Sequence, residues 1–96
     1  MNWINNPLDL GIIKENTAYN FEFIAAKTLE IESAKAGCSS CTSLHGYSEG
    51  RLRVKYKSSS IPIHLNSREQ RVEKNIVVKY RDKTTEVLKF TAIVRK

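Results

Sequence analysis

From residue 51 the chain reads RLRVKYK, in which Leu52, Val54 and Tyr56 alternate with Arg51, Arg53, Lys55 and Lys57. Successive side chains of a β-strand leave on opposite faces, so this run sets apolar groups on one side and cations on the other. The same period of two recurs along most of the chain. YNFEFIA, residues 19–25, sets Tyr19, Phe21, Phe23 and Ala25 against Asn20, Glu22 and Ile24, and LEIES, residues 29–33, sets Leu29 and Ile31 against Glu30 and Glu32. NIVVKY and VLKFTAIV add Ile76, Val78 and Tyr80, then Leu88, Phe90, Ala92 and Val94. Each run predicts a strand with one buried face.

Between them lie turn formers: KENT at 14–17, AGCSSCTSLHGYSEG at 36–50, KSSS at 57–60, NSREQ at 66–70 and RDKT at 81–84. These predict loops. SREQRVEKN, residues 67–75, is the one plausible helical piece, and it fits better as a lead-in to or extension of the strand at Ile76. About seven short strands, with no room for helical crossovers, predict an all-β antiparallel sandwich. The expected organisation is one domain over residues 1–96, with an N-terminal arm at 1–7 and the sandwich at 8–95.

Composition narrows this picture. A chain of 96 residues suffices for one modest core. With 41% hydrophobic and 27% charged residues it belongs with folded chains and not disordered ones. No apolar run approaches the roughly 20 residues that a membrane-spanning helix needs. MNWINNPLDLGII lacks the cationic start, apolar stretch and cleavage site of a signal peptide, which predicts a protein kept in a cytoplasm or assembled there into something larger. Two cysteines are too few for a disulfide scaffold, and a reducing compartment would keep them as thiols. The formal charge of +6, with a pI near 9.5, points toward an acidic partner, either nucleic acid or an acidic protein surface.

Several segments, in order, carry a resemblance: LDLGIIKENTAYNFEF, LEIESAKAGCSSCT, EGRLRVKYK, KNIVVKY and LKFTAIV. Together they resemble the bacterial domain-of-unknown-function family fifteen seventy-three. Its members open on apolar–Asp–apolar–Gly, then show a Phe-x-Phe strand, a Leu-x-Ile strand leading into Ser-Cys-Gly-Cys-Thr, a Gly-x-Ile-x-Val-x-Tyr/Phe strand and a Lys-x-Ile-x-Val strand. The similarity runs over residues 8–94. It implies an immunoglobulin-like sandwich akin to the Hydin-type and major-sperm-protein domains. Here Ser39 and Ser40 separate Cys38 from Cys41 where the family has one residue, so only Cys41 and Thr42 align with the final Cys-Thr. Family members commonly carry an export signal or lipoprotein anchor and further domains, whereas this chain is expected to be bare and single. Tailed phages commonly use small immunoglobulin-like domains as decoration or accessory proteins, an analogy at the level of the fold.

Four chemistries are open to the cysteine pair. A redox motif needs its first thiol at a helix N-terminus, and CSSC follows a strand. Zinc needs four ligands; Cys38 and Cys41 with His45 and His64 would complete a set, although the histidines lack paired spacing. The structural alternative packs Cys41 at the edge of the core near a strand-to-loop corner, with Cys38 beside it or paired to it on oxidation, while His45 is a loop histidine and His64 lies on a strand face.

The cationic row is a candidate partner surface. Arg51, Arg53, Lys55 and Lys57 leave one face about 6.6 Å apart. That spacing is close to the phosphate repeat of an extended nucleic-acid strand and matches an acidic row on a protein equally well. Its alternative role is a solvated face that blunts edge pairing. Stacking aromatics are missing from the row, since Tyr56 alternates inward. Trp3, ahead of the first strand, is either a cap on the end of the sandwich or an anchor for a neighbouring subunit. No GxSxG, phosphate-binding Gly loop or HExxH occurs, and the carboxylates are scattered.

The expectation is therefore a non-catalytic interaction or structural module without a cofactor. Its concrete form is a virion accessory protein of a tailed phage, decorating the capsid or seated at the tail or neck, made in the host cytoplasm and bound to capsid or tail proteins. The alternatives are a nucleic-acid-binding module using the row, or a cytoplasmic bacterial scaffold.

Overall fold

In a computed structural model, described for residues 2–37, 41–61 and 69–96, the alternating runs form seven strands. They are β1 (Leu8–Lys14), β2 (Ala18–Ile24), β3 (Ile31–Ala36), β4 (Thr42–Ser48), β5 (Arg51–Lys57), β6 (Glu69–Tyr80) and β7 (Thr85–Arg95). No helix occurs among the described residues, and Glu69–Asn75 extends the strand at Ile76, as its alternation allows. One sheet has the order β1-β7-β6-β3 and the other β2-β5-β4. All neighbours are antiparallel except β1, which runs parallel to β7. The protein is an all-β sandwich.

The inward faces meet in one core. Phe23, Leu52, Val54 and Tyr56 from the three-stranded sheet are buried against Ile76, Val78, Leu88, Phe90, Ala92 and Val94 from the other. Phe90 joins the two layers, edge-on to Phe21 at 4.9 Å and to Tyr56 at 5.4 Å between ring centres. Aromatic pairs in this geometry add roughly 0.5–1.5 kcal/mol to the burial itself.

Turn chemistry closes the hairpins. Between β4 and β5, Glu49 and Gly50 both take positive φ, 54° and 76°, as a two-residue turn matched to strand twist requires. Between β6 and β7, Asp82 Oδ1 accepts from the Thr84 backbone N–H at 3.0 Å and from its hydroxyl at 2.5 Å. At the far end of β5, Ser58 is buried; its hydroxyl donates to Lys14 O at 2.5 Å and accepts from Thr17 N at 3.1 Å, pinning the β1–β2 turn.

The loop expected at 36–50 is corrected by β4, which occupies Thr42–Ser48. Thr42 is buried and Leu44 half-buried on the core side, but the register with β5 shifts between Leu44 and Tyr47. This bulge places His45 and Gly46 where one residue would serve, with Gly46 at φ 98°, and it breaks the alternation that marks a strand. Seryl and glycyl composition then reads as loop.

The N-terminal arm is also part of the fold. Trp3 bridges Ala25 at the end of β2, with Ile4 N donating to Ile24 O at 2.8 Å and Ala26 N to Asn2 O at 2.8 Å. Two asparagine side chains then imitate strand backbone. Asn5 donates to Glu22 O and accepts from Ile24 N on β2; Asn6 donates to Val87 O and accepts from Lys89 N on β7. One amide clips each sheet, so the arm straps the layers together.

Candidate functional site

The strict alternation of β5 decides where the cations go. Leu52, Val54 and Tyr56 are 2%, 1% and 1% exposed, while Arg51, Arg53, Lys55 and Lys57 all point outward. As the central strand of its sheet, β5 carries the row along the middle of the outer face. Register supplies the flanks: Ala18, Asn20, Glu22 and Ile24 lie opposite Lys57, Lys55, Arg53 and Arg51 on β2, and Ser43 and Ser48 lie opposite Lys55 and Arg51 on β4. The flanks are small or neutral with one exception, Glu22.

That carboxylate compensates the row weakly. Arg51 reaches Glu22 Oε1 at 3.5 Å, a long contact, and Glu22 Oε2 is buried without a hydrogen-bond partner among the described residues. Arg53 donates to Ser48 Oγ at 2.9 Å, which orients the guanidinium without neutralising it. Among the described residues Lys55 and Lys57 make no ion pair. Asn20, Glu22, His45 and Arg53 line a depression of about 240 Å³ beside the row. His45, expected in a loop, stands exposed at the β4 bulge.

The other candidates fall elsewhere. Trp3 is 1% exposed, edge-on to Phe23 at 6.4 Å and Tyr47 at 6.1 Å, so its ring caps the end of the sandwich and shows no face to a partner. Its Nε1 donates to Tyr80 Oη at 2.9 Å; Tyr80 donates to Glu86 Oε1 at 2.5 Å, which also accepts from Asn2 at 3.0 Å. Burial first, and then the Glu86 carboxylate, hold the Tyr80 phenol above its usual range. This chain of bonds, invisible in sequence because its members lie far apart, braces the arm.

Cys41 is half-buried against the core at the entry to β4, the corner expected for it. Of the two structural forms expected for it, free beside Cys38 or paired on oxidation, Cys41 takes the disulfide-bonded one. A sulfur so bonded has no thiolate to give a metal. Cys38 and His64 lie outside the described residues, and among those described no group of His, Cys, Asp and Glu is placed to hold a metal ion. No described helix is long and apolar enough to cross a membrane.

No protein-family model, curated protein or solved structure matches the chain.

Proposed function

We propose that this protein is a non-catalytic interaction module that docks onto an anionic partner surface through the outer face of its three-stranded sheet. One observation carries the reading: β5 sets four cations in a row with a single long contact to a carboxylate among the described residues, while Lys89, Lys83 and Arg95 around the other sheet are each matched closely to one. Lys89 pairs Glu73 at 2.9 Å, Lys83 pairs Glu32 at 2.9 Å, and Arg95 pairs Glu69. A row of like charges on one strand costs stability in the free protein and becomes favourable only against an anionic surface.

The strand order supports an immunoglobulin-like reading. Taking β1 to β7 as A to G, one sheet holds C, F and G and the other B, E and D, the partition of a constant-type domain with strand A moved beside G. With the family resemblance, this favours a small module working within a larger assembly. A virion accessory protein of a tailed phage, docked to capsid or tail proteins, is the concrete form proposed.

The test is a cross-linking pull-down from the native source, with and without nuclease, read by mass spectrometry. Recovery of assembly proteins regardless of nuclease is expected. Partners that vanish with nuclease would transfer the face to nucleic acid, and retention of every partner by an R53E/K55E bait would remove the face from the account.

A further inference from the structure

We infer that the guest of this face is an extended acidic polypeptide segment with carboxylates at alternate positions, lying along β5; this rests on the docking reading above. A strand advances about 3.3 Å per residue, so an acidic side chain at every second position repeats every ~6.6 Å, the spacing of Arg51, Arg53, Lys55 and Lys57 themselves. Four cations in register with such a guest make the complementarity periodic, beyond mere opposite sign.

The flanks suit a peptide. Asn20 and Ser43 stand on either side of Lys55, where an amide and a hydroxyl can meet a guest's main-chain groups. The face carries one carboxylate of its own, Glu22, which turns Oε1 to Arg51 at 3.5 Å and buries Oε2, so a guest lying over β5 does not meet Oε2. Along its length the row divides in two. Arg53 is oriented by Ser48 and Arg51 lies in long contact with Glu22, whereas the Lys55 and Lys57 ammoniums form no ion pair among the described residues.

Single-stranded nucleic acid has a comparable charge repeat but also needs flat rings on which bases stack. Apart from the exposed His45 imidazole beside Arg53, this face offers none among the described residues. Phe21 turns inward onto Phe90, Tyr56 is buried, and Tyr19 is half-buried with its hydroxyl accepting from Lys14 N at 2.9 Å. The observations favour the peptide.

The experiment measures the affinity of the intact protein for labelled probes by fluorescence anisotropy. One peptide alternates Glu with Thr; a second has the same composition with all Glu in one block, which an extended chain divides between two faces; the third probe is an oligothymidylate of equal charge. The alternating peptide is expected to bind about tenfold tighter than the block peptide, and R53E/K55E to remove that preference with the far-ultraviolet circular dichroism unchanged. Equal affinity for the two peptides would overturn the periodic guest while leaving an anion-docking face. Tighter binding of the oligothymidylate would overturn the peptide in favour of nucleic acid. Peptide binding unaffected by R53E/K55E would overturn both the guest and the docking face.

Discussion

The outer faces of the two sheets carry similar charged residues to different ends. On the four-stranded sheet, the carboxylates of Glu73, Glu69 and Glu32 sit across or beside Lys89, Arg95, Lys79 and Lys83, and these four cations have partners in their own fold, although Lys35 and Arg71 form no ion pair among the described residues. That face also exposes Val77 and Val87, direct cross-strand neighbours at 43% and 52%. On the three-stranded sheet one glutamate serves four cations, through a single contact at 3.5 Å. Alternation alone builds both faces. What separates them is the sequence of the neighbouring strands: β6 offers acids to β7, while β2 and β4 offer β5 mainly amide, hydroxyl and methyl groups. A face whose charges are satisfied internally has little to give a partner; an unsatisfied one keeps its field for something outside.

The largest expected effect lies beneath both faces and sets the scale for them. Phe90→Ala removes the ring that joins the layers and should cost about 3–5 kcal/mol in denaturant unfolding. A loss under about 1 kcal/mol would mean that the two sheets do not depend on that contact. Next comes the end of the cationic strand. Ser58→Ala strips the buried hydroxyl from Lys14 O and Thr17 N, leaving both backbone groups without it, and should cost about 1–3 kcal/mol by the same measurement.

The faces themselves should part company under charge reversal. R53E/K55E breaks the Ser48 contact and sets a carboxylate directly opposite Glu22 while relieving repulsion among the cations, so stability should change by no more than about 1 kcal/mol while partner binding is lost. Lys83→Glu, in the β6–β7 turn of the opposite sheet, should lower stability by up to about 1 kcal/mol and leave partner binding intact. Matching losses of binding from the two variants would erase the contrast.

The smallest effect is one of pH. The Glu73 carboxyl is held below its usual range chiefly by its hydrogen bond from Lys89 and by that ammonium's charge, with Arg71 adding to it. A carboxylate depressed in the folded state stabilises above the ordinary carboxylate range, and that contribution is lost as pH falls through its folded value. Glu73→Gln should therefore flatten the acid side of a profile of urea midpoint against pH. An unchanged slope would mean that the pair adds nothing in solution.

Legibility in the sequence followed locality. The β5 row could be read outright, because a strict period of two needs no knowledge of neighbours, and Tyr56 and Lys55 fall on the sides their positions dictate. The strand β4 could not, because the His45–Gly46 bulge breaks the period where the composition already suggests a loop. Trp3 was legible as a cap or an anchor but not as one of the two, since its burial depends on Tyr80 and Phe23, which adjoin it only in the folded chain. The strapping by Asn5 and Asn6 was hidden for a related reason: an amide standing in for strand backbone leaves no periodic trace. The contrast between the faces was equally closed to inspection of one strand. Lys89 meets Glu73 only through the β6–β7 register, and the weak compensation of β5 emerges only once β2 and β4 are set beside it.

The most direct test of the claim that this face docks onto carboxylates is zero-length carbodiimide coupling in the native assembly, which joins a lysine amine to a carboxylate already in contact with it. Peptide mapping should find Lys55 and Lys57 joined to aspartates or glutamates of a partner chain, with Lys79, Lys83 and Lys89 joined to Glu32 and Glu73 of their own fold. Partner couplings confined to the lysines of the four-stranded sheet, with Lys55 and Lys57 unmodified, would contradict it.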